Sequence, residues 1–97
     1  MYKILFFLHK SNDDGIIDFF NKIIVKKLGE VIGKVVSVAE IESNLLLEQK
    51  YSLYCEISTN KKEEMDELMN SRAGKELTKE LTDFHQNLTV ITVNYNK

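Results

Sequence analysis

The 97-residue chain is long enough for one domain with a single modest core, and not for two. With 43% hydrophobic and 29% charged residues it has the balance of a soluble globular protein, which argues against intrinsic disorder. The net charge is −2, with acids and bases interspersed and no basic stripe, so a nucleic-acid partner is not expected: phosphate-backbone binding needs clustered Lys and Arg.

Tyr2 to His9 (YKILFFLH) is rich in β-formers and apolar on both alternating faces. Tyr2, Ile4, Phe6 and Leu8 share one side. Leu5 and Phe7, flanked by Lys3 and His9, share the other. The opening MYKILFFLHK is too short to cross a bilayer and lacks a basic lead and a small-residue cleavage site. A strand is expected there, no membrane partner, and a cytoplasmic location.

SNDDG is a turn cluster whose acids suit a helix start. Ile16, Phe20, Ile23, Ile24, Lys27, Leu28 and Val31 then recur near helical spacing, which predicts an amphipathic helix stopped at Gly33. Lys34 to Glu42 (KVVSVAEIE) is β-branched and predicts a second strand. Ser43 to Lys50 reads as a connection, with the odd feature of three consecutive leucines, Leu45 to Leu47.

Tyr51 to Ser58 (YSLYCEIS) alternates as a third strand. Tyr51, Leu53, Cys55 and Ile57 are expected on one face, with Ser52, Tyr54, Glu56 and Ser58 on the other. Asn60 and Glu63 have the spacing of a capping box. Met65, Leu68, Met69, Ala73, Leu77, Leu81 and Phe84 form the apolar stripe of a second helix. The MNSRAG step within it suggests a stop and restart capped by Asn70 or Ser71. The alternative is one continuous helix that tolerates Ser71 and Gly74. Asn87 to Tyr95 (NLTVITVNY) predicts the last strand.

The order βαββαβ, in one domain over residues 1–97, implies an α+β, ferredoxin-like fold: a four-stranded antiparallel sheet with both helices on one face. Right-handed crossovers put the first and third strands in the centre. Two helices cover one face only, yet the first and last strands offer apolar side chains to both. An exposed apolar patch of that kind usually marks an interface or ligand groove, so a homodimer with two sheets packed face to face is expected. Leu45 to Leu47 either reach the partner or fold back on their own subunit.

With this order in hand, the chain resembles the dimeric α/β-barrel superfamily and, within it, EthD-like proteins. The resemblance lies in MYKILFFLHKSNDDGIIDFF, in YSLYCEIS and in MDELMNSRAGKELTKELTDF, and it covers nearly the whole chain. It implies a homodimer whose barrel holds a small, mostly apolar organic molecule. The resemblance is incomplete. EthD-like sequences often carry a His, a small residue and Pro in the first helix; here Lys27 falls near the His position and no Pro follows. In the haem-degrading monooxygenases of the same superfamily, the iron-binding His would fall near Thr78, and a threonine is not a usual haem ligand.

The face turned from the helices would line any cavity. Phe7, Tyr54 and Glu56 are the candidate ligand-binding residues, with Glu56, Tyr54 and His9 as candidates for acid–base catalysis. A desolvated Glu56 could act as a base with a raised pKa. His9 and His85 are expected at different ends of the domain, by the chain path. Cys55, on the helix-facing side, reads as a buried and inert thiol. No metal or cofactor is expected, because the chain has one Cys and no close Cys/His pair. The rival function is a non-catalytic dimeric binding or stress-response module.

Overall fold

The computed structural model describes residues 1–95. Strand β1 (Tyr2–His9) is followed by helix α1 (Asp14–Phe19), a π-helical turn (Phe20–Ile24) and α2 (Val25–Ile32). Then come β2 (Ala39–Glu40), β3 (Tyr51–Thr59), α3 (Lys62–Asn70), α4 (Arg72–Asp83), a short 3₁₀ turn (His85–Asn87) and β4 (Leu88–Asn94). The sheet order is β2-β3-β1-β4 with all neighbours antiparallel. β1 and β3 are central, as their apolar faces require. No helix among the described residues is long and apolar enough to cross a membrane.

The alternation of β1 divides the molecule. Ile4, Phe6 and Leu8 are buried beneath the helices with Cys55 and Ile57 of β3. Phe20, Ile24, Leu28 and Val31 meet them from the first helical run, and Met65, Leu77 and Phe84 from the second. Phe19 and Phe84 join the two runs, with ring centroids 4.9 Å apart. Gly33 ends α2 at φ 76°, a left-handed conformation that suits glycine, and its N–H and that of Lys34 both donate to the Gly29 carbonyl.

That helix ending shortens the second strand. Sequence predicts a strand over Lys34 to Glu42, but the strand pairing with β3 is limited to Ala39 and Glu40, followed by the Ile41 N–H donating to the Ser52 carbonyl at 2.9 Å. The chain leaves Gly33 wrapped on the helix end and Val36 packs against the core, so Lys34 to Val38 diverge from β3. Val35 is left 94% exposed. Leu45 to Leu47 do not fold back on their own subunit; they are 94, 91 and 74% exposed.

Helix α3 begins one residue later than the predicted box. Thr59 Oγ1 donates to the Lys61 carbonyl at 2.6 Å and carries the turn one position on. The Lys61 N–H then donates to Glu64 Oε1 at 2.9 Å. Lysine has no acceptor, so only this half of a capping box forms.

The break at MNSRAG is real. Ser71 is extended (φ −67°, ψ 168°), ends α3 and caps α4, accepting the Gly74 N–H on Oγ at 3.1 Å. Gly74 is needed for closeness rather than for its dihedrals. A Cβ there would collide with the backbone carbonyls of Leu68 and Met69, across the corner between the helices.

This fixes the sign of one substitution. Gly→Ala inside an ordinary helix stabilises by about 1 kcal/mol, whereas Gly74→Ala is expected to destabilise. Ser71→Ala is expected to cost about 1 kcal/mol through the lost cap. Urea unfolding of both variants checks this, and a stabilised Gly74→Ala would refute the corner.

Candidate functional site

The site is the sheet face opposite the helices. Antiparallel register sets Phe7 of β1 opposite Tyr54 of β3, Leu5 opposite Glu56 and Lys3 opposite Ser58. On the other flank Thr89, Ile91 and Val93 of β4 stand opposite Phe7, Leu5 and Lys3. The expected Phe7, Tyr54 and Glu56 therefore share one face. The Phe7 and Tyr54 rings lie 5.0 Å apart, tilted 44°.

Tyr51 joins them, contrary to the sequence reading. Leu8 pairs with Leu53 but His9 pairs with Tyr51, so Ser52 is an extra residue in β3, a β-bulge. Its hydroxyl faces the Leu8 carbonyl at 3.4 Å. The bulge inverts the alternation beyond it and moves Tyr51 onto the open face, 5.1 Å from the Phe7 ring and 5.7 Å from the His9 ring.

Glu56 has a partner that sequence reasoning did not assign. Lys3 Nζ lies 3.0 Å from Glu56 Oε2, with side-chain exposures of 24% and 36%. That oxygen is shielded from water, and the ammonium compensates it through a close charge-assisted contact, by hydrogen bonding first and by charge second. Instead of a lone desolvated base, the face carries an ion pair. Contact with the Glu56 carboxylate raises the Lys3 pKa above the ordinary 10.5, against a smaller opposing effect of desolvation. Lys3 Nζ also stands 5.8 Å over the Tyr95 ring. Burial, then the charge of Glu56, raises the Tyr54 pKa, which keeps its phenol a hydrogen-bond donor at neutral pH.

His9 closes the aromatic end of the face, with Nε2 2.8 Å from Thr89 Oγ1. It pairs with Tyr51, whereas Glu56 lies opposite Leu5. Four residues of strand separate the two positions, about 13 Å. His9 and Glu56 therefore do not act on one atom. His85 lies at the same end of the sheet as His9, not at a different end, because β4 runs antiparallel to β1 and starts opposite Leu8. The two rings hold separate partners: His85 Nδ1–H donates to the Thr82 carbonyl at 2.8 Å.

The residues at family-expected positions lie elsewhere. Lys27 pairs with Glu76 at 3.8 Å, bridging α2 and α4 on the helical side. The Thr78 hydroxyl donates to the Gly74 carbonyl at 2.9 Å within α4. Cys55 is 1% exposed, and burial pushes its thiol pKa up to about 12.

No family model matches the chain, and no curated protein does. Solved structures do. An EthD (ethyl tert-butyl ether D) family protein from Bacillus halodurans superposes with a TM-score of 0.82 at 19% identity, covering 99% of both chains. The fold is ferredoxin-like. An Arabidopsis thaliana protein matches at 0.63 and 22% identity, over 100% of this chain and 95% of its own. A Bacteroides fragilis protein described as dimeric, of unknown function and ferredoxin-like fold, matches at 0.54 and 14% identity over 99% and 94%. At these identities the likeness is one of architecture. The ferredoxin-like sheet places Phe7, Tyr51, Tyr54, Lys3 and Glu56 on the face without helices.

Two measurements follow from this geometry. The Lys3 pKa is raised on folding, so the stability from its ion pair is complete below pH 10.5 and is lost as pH rises through the folded value. Thermal melts should therefore separate wild type from Lys3→Met at about pH 7 and converge once the pH has risen through the folded Lys3 value. A separation that persists there would mean the lysine acts through packing. Ellman's reagent at about pH 8 should leave native Cys55 unlabelled and find one thiol per chain after denaturation.

Proposed function

We propose that the chain works as a homodimer that packs two open sheet faces together and holds a small, mostly apolar organic molecule between them. The observation that carries this is the composition of the face. An aromatic cluster of Phe7, Tyr51 and Tyr54 adjoins one ion pair, which is the usual make-up of a small-molecule pocket. Leu5 and Ile91 extend its apolar part, and Ile91 is 44% exposed. The dimeric, ferredoxin-like neighbour supports the assembly, and the EthD-type fold supports an organic ligand.

Tyr54 would donate a hydrogen bond to the bound molecule, and Glu56 would accept one. The Glu56 carboxylate keeps accepting capacity beyond its contact with Lys3, because an ionised carboxyl has about four lone-pair sites. The ligand class is thus an apolar body with one O–H or N–H and one acceptor close together. Any conversion would be acid–base in kind, with Glu56 receiving the proton.

A non-catalytic dimeric binding or stress-response module is the second reading, and one observation favours it. Glu56 is already engaged by Lys3, and His9 is held by Thr89 about 13 Å along the strand. No histidine stands ready to pass on a proton from the carboxylate.

Native mass spectrometry of freshly purified protein tests both halves of the proposal. The expected spectrum is a dimer carrying an adduct of a few hundred daltons, which Glu56→Gln weakens. An enzyme would lose turnover of the identified molecule in that variant, whereas a carrier would keep measurable retention. A clean monomer would remove the proposal.

A further inference from the structure

Two apolar features stand without partners at opposite ends of the β2 edge. One is the Leu45–Leu47 tip, 94, 91 and 74% exposed. It is built rather than slack: Asn44 Oδ1 accepts the N–H groups of Leu46 and Leu47, both at 3.0 Å. The other is a cleft of about 370 Å³, where Lys34 to Val38 diverge from β3. Val35, Val36 and Val38 line one wall of it, and Tyr54 and Glu56 the other.

Their placement is complementary under two-fold symmetry. The tip stands at the His9 end of the sheet, since the Lys10 N–H donates to the Lys50 carbonyl at 3.0 Å just after the leucines. The cleft extends toward the Tyr2 end, beside Glu56 and Ser58. A two-fold axis between facing sheets and running across the strands exchanges the ends and keeps the edge. Such an axis would bring each tip to the end of the edge where the other copy's cleft lies, as a closed, isologous contact requires. Charge agrees: Glu42 and Glu48 flank the leucines, and Lys34 rims the cleft, whose one acid, Glu56, is paired with Lys3. The same acids disfavour an anionic membrane as the occupant.

We infer that the Leu45–Leu47 tip of one copy seats in the Val35–Val38 cleft of a second, and so supplies an apolar wall of the partner's Tyr54–Glu56 site. This rests on the face-to-face dimer proposed above. Each site is then complete only in the dimer. The tip closes the open edge that the short β2 leaves beyond Tyr54, beside Glu56 and Ser58.

The test mixes Leu46→Cys chains with Val38→Cys chains and adds a short bismaleimide. Both positions are solvent-accessible and Cys55 is buried, so the engineered thiols report alone. Circular dichroism confirms that each variant is folded. The expected result is a cross-linked mixed dimer, formed far less by either variant alone. Leu46→Glu should raise the dimer dissociation constant by about tenfold or more. A wild-type dimer with no mixed cross-link and no effect of Leu46→Glu would overturn the tip contact while leaving the sheet-face dimer standing. A wild-type monomer would overturn both. A monomer that sediments with phosphatidylcholine vesicles through Leu46 would assign the tip to a membrane and overturn the inference.

Discussion

β1 is paired along both edges and carries large apolar side chains on both faces, while the chain's helices all lie on one. On the covered side Phe6 and Leu8 are fully buried. On the other, Leu5 and Phe7 remain only half-buried, shielded by Tyr51, Tyr54 and their β4 neighbours. Full burial of a side chain of this size is worth about 1.5–3 kcal/mol relative to exposure. Part of that remains unrealised at each such position, which makes this face the natural place for a second surface.

The helical layer must be flat enough to cover the first face completely, and its two irregularities serve that end. The π turn at Phe20–Ile24 keeps both Phe20 and Ile24 in the core while α1 and α2 run on either side of it. The Ser71 corner lets α3 and α4 change direction, so Met65 and Leu77 both reach β1 and β3 from separate short helices. Ser71 satisfies the restarted helix at its N-terminus, and Gly74 lets the two backbones approach.

The sequence pattern revealed much of this, and the limits were physical. Two apolar faces on YKILFFLH mark a central strand whatever the loops do. Ser71 followed by a glycine marks a capped restart. By contrast, KVVSVAEIE has every local property of a strand, yet its pairing is set by where Gly33 releases the chain and by Val36 entering the core. Alternation alone brought Phe7, Tyr54 and Glu56 to one face. It missed Tyr51 because a bulge of one residue leaves no local signature in YSLY. Lys3 was on the correct face by alternation; its pairing with Glu56 needed the register of two strands fifty residues apart. Chain direction alone separates the two histidines, whereas the antiparallel pairing that brings β1's end to β4's start places them at one end of the sheet.

An ion pair in an otherwise apolar face also constrains what can cover it. Taking Lys3 and Glu56 fully out of water is costly unless their remaining hydrogen-bonding capacity is met, which is why buried pairs often fail to improve on apolar replacements. A featureless apolar surface laid on this face would be penalised at that one point. A covering surface that leaves space there, or a ligand that offers a donor to the Glu56 oxygen, would not be. The pair thus acts against indiscriminate association through the very face that most invites it. In the proposed dimer the aromatic rings around Phe7 would provide the attraction, and Lys3 with Glu56 would select its register.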